Sequence, residues 1–505
     1  MYFCNSIQAT TRGRSGVLVL LLWTLFLVIL TTSCDLLDND DDEESDEDRG
    51  GVSDRPVLIS WEEVGTLERD RIAVIYPKAN RFLLANDVTF YRLTYETSGP
   101  DGEPVLASGA VLLPQTDGET ALLSLQRGTV FHDLEAPSRV DPETPPPGDL
   151  TSGSGTFGGS DGNGSDGSGD TDESDSGNSG GSESSDESGS DHAGTANGAS
   201  VINTVWSHMA PVAASAGFAT VMSDQLGWGE SEQLFPPYLV THLEAEASLD
   251  MLYAARELME VVQHSWSEEL YLTGYSQGGS TTLALLQEIE REQESPFKVL
   301  RSTAGGGAYN LESLSASLLE REELGYAPYY ALLITAFRNI YFPEISLNRV
   351  IQPPYDSRIE DEALFSGEFS GGEINGRLTS RTDELVNPEF RADYLSGDMS
   401  GVAGDFRRVF RESALSDVAV GAPLRIYHGT DDDIIPFEEA ENAWRELREA
   451  GSDQISFVSI EGQGHRGAVE SYILDTLLWF MLPGLLADSD TDRDTLPELL
   501  PSEPF

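Results

Sequence analysis

Residues 270–289 read LYLTGYSQGGSTTLALLQEI, and no other stretch restricts the possible fold so tightly. A short run of apolar, β-prone residues meets Gly274-Tyr275-Ser276-Gln277-Gly278, and then a segment whose apolar residues recur at helical spacing. A strand that turns into a helix within five residues needs a sharp bend. Only small neighbours fit beside such a bend, which the flanking glycines supply. The bend holds Ser276 in a strained backbone conformation and lifts its hydroxyl out of the sheet. It also sets Ser276 at the N-terminus of the next helix, where developing negative charge is favoured. G-x-S-x-G in this context marks Ser276 as a candidate nucleophile and demands a sheet flanked by helices.

The rest of the chain supplies such a sheet. Strand-like runs cover residues 90–97, 105–113, 121–126, 218–223, 270–273, 299–303, 424–427 and 454–460. Helical patterns cover 201–216, 244–262, 281–289, 437–450 and 466–481. Strands alternating with helices imply a mainly parallel sheet with helices on both faces. The core then falls into three pieces, residues 56–138, 201–309 and 416–483. Residues 310–415 lose the alternation and are rich in Leu, Tyr and Phe, so they read as an inserted, mainly helical cap. Residues 139–200 are Gly, Ser and Asp with scattered Pro, which predicts a disordered insertion. Its acidic residues lack the spacing of a calcium loop. Residues 35–55 predict an acidic tether and 484–505 an acidic tail.

A serine hydroxyl needs a base, and the base needs an orienting carboxylate. In a fold with this elbow the chain order is serine, acid, histidine. Only His428 and His465 follow Ser276. His465 lies in GQGHRG, after the last strand and before the last helix, where the base is delivered. His428, in RIYHGT at a strand end, reads as structural, bonding loop backbone. For the acid, Gly429-Thr430-Asp431-Asp432-Asp433-Ile434-Ile435-Pro436 offers three candidates. Spacing from Gly429 and to Ile435-Pro436 selects Asp432, leaving Asp431 and Asp433 as solvated loop charge.

GTDDDIIP followed by GQGH resembles the end of many α/β-hydrolases. The runs LLSLQRGTVFHDLEAPS, SHMAPVAASAGFATVMSDQLGWGES, HLEAEASLDMLYAARE and AGGGAYNL resemble the secretory lipase and related bacterial esterase–lipase group. The resemblance covers most of residues 88–480, apart from the acidic insertion. It implies the α/β-hydrolase fold and hydrolysis of a small-molecule or lipid ester through an acyl-enzyme, with no metal or organic cofactor. It also implies an oxyanion hole built from the backbone N–H of Gln277 and one from the Arg127-Gly128-Thr129 loop, at Thr129. Relatives often carry His where this chain has Arg127. The cap residues Tyr329, Tyr330, Leu333 and Phe337 suggest an apolar acyl pocket or lid. A peptidase of the prolyl-oligopeptidase kind and a non-catalytic surface binding protein are the competing readings.

Charge and targeting narrow the setting. There are 87 acidic residues against 30 basic ones, for a net charge of −57. Lysine occurs only as Lys78 and Lys298. Such a chain repels nucleic acid, so nucleic-acid partners are excluded. Cys4 and Cys34 are the only cysteines, which rules out a cysteine nucleophile or a thiolate metal site in the body of the chain. Arg12 and Arg14 precede an apolar run over 17–30, and Thr31-Thr32-Ser33-Cys34 follows. This resembles a bacterial lipoprotein signal over residues 1–34 with Cys34 as the lipidated residue, although Thr31 stands where Leu is usual. An uncleaved anchor helix and plain secretion are the alternatives. All three export the body, to the cell envelope or beyond, and confine membrane contact to the N-terminal anchor.

Overall fold

The computed structural model describes residues 57–75, 83–139 and 203–481. The signal segment with Cys34, the tether, nearly all of the Gly/Ser/Asp insertion and the acidic tail lie outside the described residues.

Nine strands form one sheet in the order β1-β2-β3-β5-β4-β6-β7-β8-β9. They are β1 (Leu58–Leu67), β2 (Val88–Ser98), β3 (Pro104–Pro114), β4 (Thr120–Gln126), β5 (Ala219–Ser223), β6 (Trp266–Tyr275), β7 (Lys298–Gly305), β8 (Leu424–Gly429) and β9 (Ile455–Ile460). The first strands are antiparallel, β1 to β2, β2 to β3 and β3 to β5. From β5 to β9 every pairing is parallel. The β2–β3 hairpin closes over Gly99-Pro100-Asp101-Gly102, where Gly99 N donates to Glu103 O at 2.8 Å. Gly102 takes φ +78°, a conformation that costs glycine little.

Helices cover both faces, because parallel strands buried on two sides need apolar cover on each. On one face lie α2 (Asn203–Ser215) and the last helix, α13 (Val469–Met481). Met209, Ala213, Leu477 and Phe480 pack there with Leu123, Leu125 and Met222 of the sheet. The other face carries α3 (Thr241–Val261), α4 (Gln277–Arg291) and α12 (Phe437–Ala450). Leu252, Leu258, Leu283 and Leu286 are fully buried in that second cluster. Each such side chain contributes on the order of 1.5–3 kcal/mol of transfer free energy. A short helix after the first strand, α1 (Arg69–Ile75), completes the set outside the cap.

Between β7 and β8 the chain adds no strand to the sheet. It forms α5 (Leu311–Glu320), α6 (Ala327–Tyr341), α7 (Tyr355–Asp361), α8 (Gly371–Asn375), α9 (Thr382–Leu385), α10 (Pro388–Ser396) and α11 (Gly401–Glu412). Aromatic contacts hold these helices together, Phe337 against Phe410 at 4.8 Å and Phe390 against Phe406 at 5.6 Å between ring centres. Glu312 accepts from both Arg407 and Arg411, at 2.6 and 2.7 Å, which ties α5 to α11. Among the described residues no helix is long and apolar enough to cross a membrane.

Candidate active site

The C-terminal ends of β4, β6, β8 and β9 converge, and the residues singled out in the sequence lie on the loops that leave them. Ser276 stands between β6 and α4 at φ 60°, ψ −124°. This left-handed, strained backbone is held by Ser276 N donating to Gly305 O at 2.8 Å. The glycines around it answer to close approach. A Cβ on Gly274 would collide with the Gly278 carbonyl, and one on Gly278 with the Gln126 carbonyl at the end of β4.

His465 follows β9, and its Nε2 lies 3.0 Å from Ser276 Oγ. Its Nδ1 lies 2.7 Å from Asp432 Oδ2. A carboxylate only accepts, so Nδ1 carries the ring proton and Nε2 presents its lone pair to the serine hydroxyl. Asp432 lies in the loop after β8, and its Oδ1 accepts from Ile434 N at 3.0 Å and Ile435 N at 2.8 Å. All three side chains are buried. Burial alone would raise the Asp432 carboxyl. The charge of His465 and hydrogen bonds from His428 and His465 outweigh it and hold the group well below the ordinary carboxylate range. Asp431 and Asp433 are exposed.

His428 bonds the loop backbone, with Nε2 2.9 Å from Ile435 O, and it does more than the sequence predicted. The same nitrogen lies 3.1 Å from Asp432 Oδ2, the oxygen that faces His465. Asp432 therefore has a donor at each of four positions.

Several participants escaped sequence reasoning. Tyr275 Oη donates to His465 O at 2.7 Å, pinning the histidine loop from the elbow itself. Burial, and then the Asp432 charge, pushes this phenol well above its usual value, so it stays a donor. Gly305 and Gly306 make room for its ring. Tyr472, on α13, sets its hydroxyl within 3.0 Å of Gly274 N and 2.6 Å of Thr273 Oγ1, joining the last helix to the elbow strand. Beneath Gln277, Glu244 accepts from Gln277 Nε2 at 2.6 Å and from Thr281 Oγ1 at 2.7 Å. No signal in the sequence pairs these positions, which lie tens to nearly two hundred residues apart.

The backbone N–H of Gln277 follows Ser276 directly in the chain, and that of Thr129 lies three residues past the end of β4. Among the described residues neither N–H donates to an internal acceptor. The Thr129 side chain donates to Tyr238 Oη at 3.1 Å. An apolar pocket runs from Ser276 between Leu314, Leu318, Leu324 and Leu333, with Tyr329 and Tyr330 on its wall. Phe337 is not among its lining residues. It packs against Tyr341 and Phe410 inside the cap, because its position on α6 faces the cap interior. The cap also reaches the acid loop, where Arg321 Nη1 donates to Asp433 O at 2.9 Å. No group of His, Cys, Asp and Glu among the described residues is arranged to hold a metal ion.

The sheet order, the elbow and the loop positions define a protein of the α/β-hydrolase fold. No family model matches the chain, and no curated protein does. Solved structures are similar to it. A proposed hydrolase from Legionella pneumophila is 22% identical, with a TM-score of 0.66 over 86% of this chain and 100% of that one. The rice cell wall degrading esterase LipA of Xanthomonas oryzae, in a ligand-bound form, is 21% identical, with a TM-score of 0.62 over 84% and 97%. Lipase A of Candida antarctica in its closed state is 15% identical, with a TM-score of 0.55 over 84% and 81%.

Proposed function

We propose that the chain is a serine hydrolase that cleaves carboxylic esters with apolar acyl groups. One observation carries the reading: the unbroken relay from Ser276 Oγ through His465 to Asp432, at 3.0 and 2.7 Å, on a strained elbow. Ser276 attacks the ester carbonyl while His465 Nε2 takes its proton. Asp432 holds the imidazole in the productive tautomer and stabilises its charged form. The N–H groups of Thr129 and Gln277 receive the oxyanion, a contribution of roughly 3–4 kcal/mol for each such donor. His465 then protonates the departing alkoxide, leaving an acyl-enzyme that water cleaves by the same route in reverse.

The wall of the pocket supports an apolar acyl group. Leu314, Leu318 and Leu333 offer no hydrogen-bond partner to a polar chain, and desolvating one without compensation is unfavourable. That solved structures similar in fold include an esterase and a lipase supports an ester as the substrate. Export through residues 1–34, with Cys34 lipidated, belongs to the same proposal and rests on the sequence alone. The test is a panel of nitrophenyl esters of rising chain length, with an aminoacyl amide beside it. Cleavage of esters, improving with chain length until the pocket is filled, is the expected result. Preference for the amide would replace the esterase with a peptidase. No turnover, together with no labelling by a fluorophosphonate, would leave a binding protein.

A further inference from the structure

Beneath the oxyanion loop lies a buried guanidinium that the reaction as drawn does not use. Arg127 is almost wholly inaccessible. Its Nε donates to Asp224 O at 2.8 Å. Its Nη1 donates to Gly128 O at 2.9 Å and lies 3.3 Å from Gln277 Oε1. The ring of Trp228 stacks 5.8 Å away. Burial works against the charge, and Glu244 and Asp224 sustain it. Both of those carboxylates have their own hydrogen-bond partners. Asp224 takes Ser108 Oγ and Ser138 N, and Glu244 takes Gln277 Nε2, Thr281 Oγ1 and Leu239 N.

The acceptors of Nη1 make this arrangement chemically specific. The carbonyl of Gly128 and the N–H of Thr129 belong to one peptide group, which is planar and trans. Fixing the direction of the oxygen fixes the direction of the N–H on the opposite side. A cation hydrogen-bonded to that oxygen also polarises the amide and strengthens its N–H as a donor. The other acceptor is the side chain of Gln277, whose backbone N–H is the second donor. Glu244 grips the far end of the same side chain. One nitrogen thus touches both the peptide group that carries the Thr129 N–H and the side chain of Gln277. We infer that Arg127 is a positioning residue: it locks the Gly128–Thr129 peptide and Gln277 so that both N–H groups point at the developing oxyanion.

This inference rests on the serine-hydrolase reading. The experiment therefore begins with the wild-type full-length protein on the preferred nitrophenyl ester. No turnover there fails the reading itself, before Arg127 is touched. If the wild type is active, Arg127→Lys is compared with it. Lysine keeps a positive charge between Asp224 and Glu244, but its single ammonium cannot reproduce the planar fork. Fluorophosphonate labelling counts competent Ser276, so kcat is expressed per labelled site. The expected result is a kcat about 10–100-fold lower, somewhat less than loss of a whole oxyanion donor, with KM within about two-fold and the pH profile unchanged. Binding of a trifluoromethyl ketone, which mimics the tetrahedral adduct, should weaken by the same factor. A purely structural role would lower the labelled fraction and leave kcat per site and the ketone affinity intact. A kcat per labelled site within two-fold of wild type overturns the inference. If Arg127→Lys does not fold, Gln277→Met removes the second acceptor of Arg127, together with the donor that Gln277 gives Glu244. It should lower kcat several-fold at constant KM, and an unchanged kcat overturns the inference equally.

Discussion

Asp432 is crowded with donors: two backbone amides on one oxygen, and two histidines sharing the other. The histidines differ in what their second nitrogen does. His465 reaches Ser276, while Nδ1 of His428 is buried with no hydrogen-bond partner. In the proposed mechanism His428 supports Asp432, and His465 carries the proton. Removing the His428 donor would leave Asp432 Oδ2 with His465 alone and loosen its placement. His428→Phe should accordingly lower kcat/KM about ten-fold. His465→Ala should abolish activity at every pH, because members of a triad act as a unit. The reverse pattern, with His428→Phe inactive and His465→Ala active, would show that the base has been misassigned. The depressed Asp432 carboxyl has a consequence for stability as well. Its stabilising contribution is present above the ordinary carboxylate range near pH 4 and is lost as the pH falls through the lower folded value.

At the scale of elements, the join between cap and core turns on Glu439. This residue of α12 is buried and accepts from Ser313 Oγ at 2.7 Å, near the start of the first cap helix, α5. Burial pushes its carboxyl from 4.5 up to about 7, with Glu446 and Glu438 adding repulsion. A carboxyl raised in the folded state stabilises fully below its unfolded value, and that contribution is lost as the pH rises from about 4.5 to about 7. Glu439→Gln should match wild type in thermal melts at pH 5. At pH 8.5 it should be more stable by roughly 1–3 kcal/mol, since it removes a buried charge. A variant equally stable or less stable at pH 8.5 would show that the group is solvated. Most elements were legible in the sequence because their apolar period matches their burial. Two were not. Strand β1 lies at the sheet edge with Glu62 and Glu63 exposed, so it shows no alternation to read. Helix α1 is only seven residues long. Helix α4 begins at Gln277, although its apolar pattern starts later. Glycines are poor helix formers, and here close packing of Gly278 against β4 and of Gly279 against β7 requires them. At the site, Ser276, Asp432 and His465 could be singled out from their loop contexts, and the fold brings their side chains together. Tyr275, Tyr472, Arg127 and Glu244 were not, because their partners are fixed only by the tertiary fold.

The whole molecule is strongly acidic. The tether and the Gly/Ser/Asp insertion together hold 24 of the 87 acidic residues, so most of the excess belongs to the rest of the chain. Many arginines are already engaged, as Arg381 is with Asp383 and Glu384, and exposed pairs of this kind contribute little. Self-repulsion on this scale destabilises a compact state. Salt screens it, because the screening length falls from about 10 Å at 0.1 M to about 3 Å at 1 M. The melting temperature should therefore rise by several degrees between 0.1 and 2 M sodium chloride. A flat or falling value would leave solubility as the only role for the charge. The claim on which the rest depends is the covalent role of Ser276, and it is tested most directly by intact-mass spectrometry of enzyme quenched during turnover of a slowly deacylating nitrophenyl ester. The account predicts one added acyl group per chain, mapped to the peptide containing Ser276 and absent from Ser276→Ala, which remains folded and inactive. Turnover with no adduct, together with a Ser276→Ala variant that retains activity, would contradict it.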